Sequence, residues 1–197
     1  MTTVLHARTP SGDDRHRADL HSRSTTLPTR LRPADLMRIT DQGVADVLDG
    51  VYDHLLPPRW DPVERWATRL VNDDELDVWL ISWTPDRSTE LHDHAGSLGA
   101  LTVVTGSLRE YRWTGGDLSL RVLRAGDQAS FPLGWVHDVQ RHDPPAARSD
   151  GIEPPTATSP TLSVHAYSPP LTAMSFYAVT DHHTLRRTRT ELTDRPE

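Results

Sequence analysis

The sequence predicts an all-β domain, a sandwich or barrel, with one or two helices before the first strand. After Trp60, short runs rich in β-branched and aromatic residues alternate with turn sequences such as TGGD and RAGD. The segment before Trp60 instead carries apolar residues at helical spacing. A length of 197 residues with 36% hydrophobic content fits one globular domain that has its own core.

The first 60 residues divide into a tail and a helical segment. Residues 1–27 are rich in Arg, Asp, Ser and Thr and carry few large apolar side chains, which is typical of a disordered tail. From Pro33, a residue suited to a first helical turn, the apolar spacing predicts a helix. The residues that carry this spacing are Leu36, Ile39, Val44, Val47 and Leu48.

The domain proper is predicted to cover residues 28–180. Residues 141–160 are dense in Pro, Ala, Ser and Thr, so we expect a mobile loop there. Residues 181–197 are predicted to form a solvated C-terminal arm, with a final strand that frays as the alternative. Eight runs are predicted as strands, namely 65–71, 77–83, 98–108, 118–123, 128–133, 135–140, 161–168 and 174–179.

Composition excludes several classes of protein. The formal net charge is −7 and all 21 basic residues are arginine, so the chain has no basic footprint for nucleic acid. Cysteine is absent, which excludes disulfides, thiolate nucleophiles and sulfur-ligated metals. No apolar run reaches the ~18 residues of a membrane span, and the N-terminus lacks the apolar core of a signal peptide. We therefore expect a cytoplasmic protein without a membrane partner; the sequence does not indicate an oligomeric state.

The segment ELHDHAGS, which begins at Glu90, carries two histidines separated by one residue. Side chains alternate between the faces of a strand, so Glu90, His92 and His94 share one face and Asp93 points to the other. Two histidines on one strand face form a bidentate chelate. Because Glu90 precedes the pair, its expected place is beyond the metal or beside a ligand.

A third histidine follows a turn rich in Pro and Gly. The pattern G-x5-P-x-G-x2-H runs from Gly126 to His137, and the HxH pair is followed by Gly106. Together these motifs resemble the paired motifs of the cupin superfamily, which implies a jelly-roll barrel. The glutamate that many cupins carry four or five residues after the pair is missing, because Leu98 and Gly99 stand there. The glycine usual before the pair is also replaced, by Asp86.

A last motif lies in the run LSVHAYSPP. Ser163, His165 and Tyr167 are two residues apart, so they lie on one strand face as a row of hydroxyl, imidazole and phenol. With HDHAGS and the missing glutamate, this row resembles the thiol dioxygenases of the cysteine dioxygenase family, bacterial type, over roughly residues 33–180. Since the chain has no cysteine, Tyr167 must be an unmodified phenol. A cis bond before Pro169 is a further expectation of the resemblance.

The resemblance implies a site and a reaction. His92, His94 and His137 would bind Fe(II), and Ser163, His165 and Tyr167 would form the outer catalytic row. The substrate would be a small thiol, L-cysteine first, oxidised by O2 to the sulfinate. The family's carboxylate-binding arginine would be Arg69 or, as second choice, Arg65. Trp83 and Trp135 are expected to border the pocket.

Three other functions stay open. The first is a dioxygenase for another small thiol, such as 3-mercaptopropionate. The second is a metal-binding cupin without oxygenase activity, an isomerase or a sensor, since a nitrogen site also binds Zn or Ni well. The third is a purely structural barrel in which the histidines are incidental.

Overall fold

A computed structural model describes residues 29–143 and 160–196 of the chain. The predicted tail and almost all of the predicted loop lie outside these residues. The described chain contains helix α1 (Pro33–Leu48) and a short 3-10 helix (Asp53–Leu55). Its strands are β1 (Ala67–Asn72), β2 (Asp77–Trp83), β3 (His92–Asp93), β4 (Leu98–Thr105), β5 (Ser107–Trp113), β6 (Leu118–Arg124), β7 (Gln128–Phe131), β8 (His137–Arg141), β9 (Thr161–Ser168), β10 (Ala173–Val179) and β11 (Leu185–Leu192).

The strands form two antiparallel sheets that face each other. One sheet has the order β1-β2-β9-β4-β7, and the other has the order β11-β10-β3-β8-β5-β6. Apolar side chains from both sheets meet in one buried cluster, among them Ile81 and Leu101 from the first sheet and Leu108 and Phe176 from the second. The predicted all-β barrel with an N-terminal helix is confirmed.

Helix α1 covers the outer face of the five-stranded sheet. Pro33 is its first residue, and the Asp35 carboxylate accepts the Arg32 backbone N–H at 2.8 Å, which caps the start of the helix. Leu36 is fully buried against the outward-facing apolar residues of this sheet. Leu48, the last residue of the predicted apolar pattern, is instead exposed. The helix leaves the opposite face of the sheet free to line the barrel interior.

The apolar run at residues 98–108 is two strands and not one. Gly106 separates β4 from β5, and the chain crosses there from the first sheet to the second. Its φ of 76° lies in the left-handed region, which an L side chain rarely adopts. A Cβ at this position would also stand 2.2 Å from the Thr161 hydroxyl oxygen.

We expect Gly106→Ala to destabilise the fold by about 2–5 kcal/mol, from backbone strain and overpacking together. Urea unfolding of the variant beside the wild type measures this loss. Gly116→Ala is the matched control, because nothing lies within 4 Å of a Cβ there and its φ is not positive. Equal losses in the two variants would contradict the role given to Gly106.

The C-terminal segment contains a strand that pairs with the edge of the barrel. β11 pairs with β10 from Leu185 to Leu192 and forms an edge of the six-stranded sheet. The final strand that the sequence left as an alternative to a solvated arm is therefore present. Among the residues that the structure describes, no helix is long and apolar enough to cross a membrane.

Candidate metal centre

The three histidines meet inside the barrel because their strands are neighbours. β3 lies between β10 and β8, and His92 is the direct cross-strand partner of His137. His94 follows β3 at once and has the same parity as His92. All three side chains are buried.

The imidazole nitrogens converge on one point. One ring nitrogen from each histidine lies within 4.8 Å of the other two. The Nε2 atoms of His92 and His94 are 3.3 Å apart, as expected of two nitrogens that share an ion at about 2.1 Å. Nε2 of His137 is buried and has no hydrogen-bond partner. A divalent metal ion at this point would satisfy all three nitrogens, so the residues fit a three-histidine metal site.

Hydrogen bonds at the other ring nitrogen determine which atom each ligand offers. His92 Nδ1 donates to the backbone oxygen of Glu90 at 2.9 Å. Glu90 has a φ of 59°, the left-handed conformation. His137 Nδ1 donates to Oε1 of the Glu110 carboxylate at 3.1 Å. Both rings therefore carry their proton on Nδ1 and present Nε2 to the metal position.

Burial keeps the first two ligands neutral. Loss of solvent and, after it, the charge of the neighbouring His137 together lower the pKa of His92 to about 3. The pKa of His94 is lowered well below its ordinary value, first by burial and then by the other histidines. Neutral imidazole is the form that binds metal ions, so the site is ready to bind at neutral pH.

The side chains of Glu90 and Asp93, next to His92 and His94, point away from the metal position. Asp93 accepts the Tyr177 hydroxyl at 2.7 Å and the Ala95 backbone N–H at 3.0 Å, on the far side from the metal position. The Glu90 carboxylate forms a two-bond ion pair with Arg189. Its backbone, and not its side chain, therefore orients His92.

Ser163, His165 and Tyr167 form one hydrogen-bonded row along β9. The Ser163 hydroxyl lies 2.9 Å from His165 Nε2, and His165 Nδ1 lies 3.1 Å from the Tyr167 hydroxyl. Trp83 Nε1 donates to Ser163 Oγ at 2.8 Å, an anchor that the sequence did not predict. Burial raises the pKa of Tyr167 and is the largest cause of the strong lowering of the His165 pKa, so both groups are neutral.

His165 and Tyr167 of the row and the three histidines line one small cavity of about 10 Å³. Trp83 lies in its wall, as predicted for one of the two tryptophans, and Trp135 packs against the core and donates to Glu110 at 3.4 Å. The peptide bond before Pro169 is cis, as expected. The residues that line the cavity are Trp83, Thr89, His92, His94, Phe131, His137, Val139, His165 and Tyr167.

The two candidate arginines lie in different places. The Arg65 guanidinium stacks over Trp83 at 4.1 Å, and its charge acts on His165 and Tyr167. Arg69 lies over Trp79 and donates to the backbone oxygen of Asp194 at 2.8 Å. The structure thus brings Arg65, the second choice from the sequence, toward the cavity. It places Arg69, the first choice, against the C-terminal segment.

Sequence reasoning missed Glu110. The carboxylate is buried, although burial by itself raises the pKa of such a group. Hydrogen bonds from His137 and Trp135 and the charge of Arg121 outweigh burial and lower the pKa. A signal was present, because Glu110 has the same strand parity as the core residue Leu108.

The metal-free protein should lose stability as the pH falls from about 6.5 to 5. An unfolded histidine binds a proton near pH 6.5, whereas buried His92 does so only near pH 3. The unfolded state therefore binds more protons in this window. The free energy of unfolding should fall by up to about 1.4 kcal/mol per pH unit for each such histidine.

Urea unfolding at several pH values measures this slope. Since the pKa of His165 is also strongly lowered, His165→Gln should flatten the slope by roughly one proton. The control is His182→Gln, which changes an exposed histidine and should leave the slope unchanged. The same slope in all three proteins would contradict the expectation.

A barrel of this topology with three inward histidines defines a cupin that could hold a metal ion. The profile of the cysteine dioxygenase type I family matches residues 58–180, more than half of the chain. The chain therefore belongs to the cysteine dioxygenase type I family, within the cupin superfamily. Membership of this family implies an enzyme with a small-molecule substrate and dioxygen.

Several solved structures are similar to the chain. One is an uncharacterised conserved protein with a double-stranded β-helix domain from Klebsiella pneumoniae, with 17% identity over 73% of this chain and 88% of that chain, at a TM-score of 0.45. A cupin superfamily protein from Desulfitobacterium hafniense shares 11% identity over 58% of this chain and 84% of that chain, at a TM-score of 0.42. A recombinant oxalate oxidase in complex with glycolate shares 16% identity over 60% of this chain and 59% of that chain, at a TM-score of 0.44.

Proposed function

We propose that the protein is a mononuclear non-haem Fe(II) thiol dioxygenase that oxidises L-cysteine with O2 to cysteine sulfinate. The observation that carries the proposal is the joint presence, around one cavity, of three inward histidines without an acid ligand and of His165 and Tyr167, which end the hydrogen-bonded row from Ser163. Membership of the cysteine dioxygenase type I family supports it. We place the reaction in the cytoplasm.

His92, His94 and His137 would hold the iron through Nε2. Three neutral ligands leave the full +2 charge on the ion and leave positions open to anionic groups of a substrate. The bound iron would activate dioxygen and lower the pKa of a coordinating thiol, so that the substrate binds as thiolate. Both atoms of O2 end on sulfur, so that one thiol and one O2 give one sulfinic acid.

The Ser163-His165-Tyr167 row supports a directed hydrogen bond into the cavity. Ser163 accepts from Trp83, and its own hydrogen is in reach of His165 Nε2. His165 is neutral, so its one proton is then on Nδ1 and is donated to the Tyr167 oxygen. The Tyr167 proton is left to point into the cavity, where it can hold a substrate carboxylate or an oxygen atom.

Arg65 is our candidate for the cation that binds the substrate carboxylate. Its guanidinium lies against Trp83, a wall residue of the cavity, and near enough to shift the pKa of His165 and Tyr167. Arg69 is held by Asp194 and Trp79 instead. An arginine binds a carboxylate by two parallel hydrogen bonds, which would fix the substrate's orientation.

The size of the cavity favours a small thiol. Its volume of about 10 Å³ excludes a peptide, so a substrate has to be small. 3-Mercaptopropionate has similar size and the same carboxylate, so Arg65 could bind either acid. The two differ in the amine, which only cysteine offers as a second ligand.

Oxygen uptake by anaerobically purified protein loaded with Fe(II) tests the proposal. With L-cysteine we expect one O2 consumed per cysteine sulfinate formed, measured with an oxygen electrode and by mass spectrometry. Protein loaded with Zn(II) is the control and should be inactive, because zinc has no redox chemistry.

Two results would contradict the proposed function. One is the absence of O2 uptake with cysteine, 3-mercaptopropionate and cysteamine alike. The other is tightly held zinc in protein from the native host together with a reaction that needs no O2, which would favour the isomerase or sensor. A higher kcat/KM for 3-mercaptopropionate than for cysteine would reassign the substrate within the same class.

A further inference from the structure

Glu110 is a buried carboxylate that contacts one of the three histidines but does not line their cavity. It lies on β5, which pairs with β8, and it is only 3% exposed. Its Oε1 atom accepts from Nδ1 of His137 at 3.1 Å and from Nε1 of Trp135 at 3.4 Å. Two aromatic N–H groups therefore hold the carboxylate in one orientation.

We propose that Glu110 is a positioning residue for the metal ligand His137 and supplies, one hydrogen bond behind that ligand, the carboxylate that the HxH segment lacks. The inference rests on the metal site of the proposed function. Leu98 and Gly99 stand where many cupins carry an acid that binds the metal directly. Glu110 instead brings its negative charge near the metal position from behind, with the imidazole of His137 between the two.

The hydrogen bond has two consequences for His137. It keeps the proton on Nδ1, so that Nε2, which is buried and has no hydrogen-bond partner, is the atom that faces the metal position. It also makes Nε2 a stronger electron donor to a metal ion, because the carboxylate polarises the Nδ1–H bond and increases the electron density of the ring. His92 differs, since its Nδ1 donates to the neutral backbone oxygen of Glu90.

Neighbouring residues stabilise the negative charge of Glu110. The side chain borders a separate cavity of about 180 Å³ behind the metal site, lined also by Arg112, Arg121 and Trp135. Arg112 stacks over Trp135 at 3.7 Å and so fixes the second donor to the carboxylate. The charge of Arg121, which lines the same cavity, stabilises the carboxylate.

Two substitutions separate the charge from the hydrogen bond. Glu110→Gln keeps the size and an acceptor oxygen but removes the charge, whereas Glu110→Ala removes both. We expect the dissociation constant for Co(II) to rise about 10-fold in Glu110→Gln and up to about 100-fold in Glu110→Ala. The visible absorption bands of bound Co(II) should also shift in both variants, because His137 donates less electron density to the ion without the carboxylate.

The matched control is Asp77→Asn, which neutralises another fully buried carboxylate. Asp77 accepts from the Leu171 backbone N–H at 3.2 Å and makes no contact with the three histidines, so the Co(II) constant should stay within about two-fold of wild type. Thermal unfolding of the metal-free variants reports any loss of stability separately. If Glu110 had only a structural role, its substitution would lower the melting temperature and leave Co(II) binding unchanged.

Wild-type affinity and an unshifted Co(II) spectrum in Glu110→Gln would overturn the inference while leaving the metal site intact. Glu110→Gln carries this test even where the alanine variant does not fold. A wild-type protein that does not bind Co(II) would overturn the metal site itself, and this inference with it. Neither readout depends on oxygenase activity, so a failure of the proposed reaction is distinguishable from both.

Discussion

His94→Ala should abolish tight metal binding and, with it, O2 uptake. The Nε2 atom of His94 is one of the three that converge, and it lies 3.3 Å from Nε2 of His92. Sites of four ligands bind zinc with about 10–16 kcal/mol, so one ligand contributes roughly 3–4 kcal/mol and its loss should weaken binding by about 10²–10³-fold. A Co(II) titration and the metal content of purified protein measure the effect.

His54→Ala is the control for this substitution. His54 is exposed in the short 3-10 helix and does not belong to the histidine cluster. Its metal content and O2 uptake should equal those of wild type. Undiminished Co(II) affinity in His94→Ala would show that the histidines are incidental to the barrel.

Arg65→Ala should raise KM for L-cysteine by roughly 10- to 100-fold. A hydrogen bond between charged groups contributes about 1.5–3 kcal/mol, and the substrate carboxylate would lose its cation. Kinetics with cysteamine, which has no carboxylate, should change little in the same variant. The ratio of the two effects separates carboxylate binding from a general disturbance at Trp83.

Arg69→Ala is the matched substitution in the same region of the chain. Its guanidinium is held by Asp194, so KM for L-cysteine should stay within about two-fold of wild type, while stability falls slightly. If Arg69→Ala raised KM and Arg65→Ala did not, the original preference for Arg69 would be right. The residue that binds the substrate carboxylate would then lie within β1 and not before it.

The period of a strand was enough to orient the HxH segment. Alternation predicted that His92 and His94 share a face and that Asp93 points away, and the structure has this arrangement. Turn residues predicted the limits of β2 and β9 closely, because those strands are short apolar runs between clear breaks. The extent of β3 was not predictable, since its two residues are held by pairing with β8 and β10 and not by local preference.

Other features depend on contacts between distant parts of the chain. Arg65 and Arg69 have the same strand parity, so alternation could not separate them. The sequence also could not foresee the irregular pairing between Arg69 and Val71 or the partner Asp194. The crossing at Gly106 lies within one continuous apolar run, so hydropathy does not reveal it. In the sequence, Glu110 stood out only as a charged residue on the inward-facing side of its strand. Its partner His137 lies on another strand, so their contact could not be predicted.

Because His92 pairs with His137, metal binding at the three histidines would depend on the register of β3 and β8. The two ligands face each other only when β3 and β8 are aligned as they are here, and a slip by one residue would turn His137 out of the barrel. An unfolded chain offers no such site, so the ion would bind the native state alone. At a free concentration 1,000 times the dissociation constant it would add about 4 kcal/mol to the free energy of unfolding. Cellular metal supply would then influence how long each copy of the enzyme survives, as well as how fast it works.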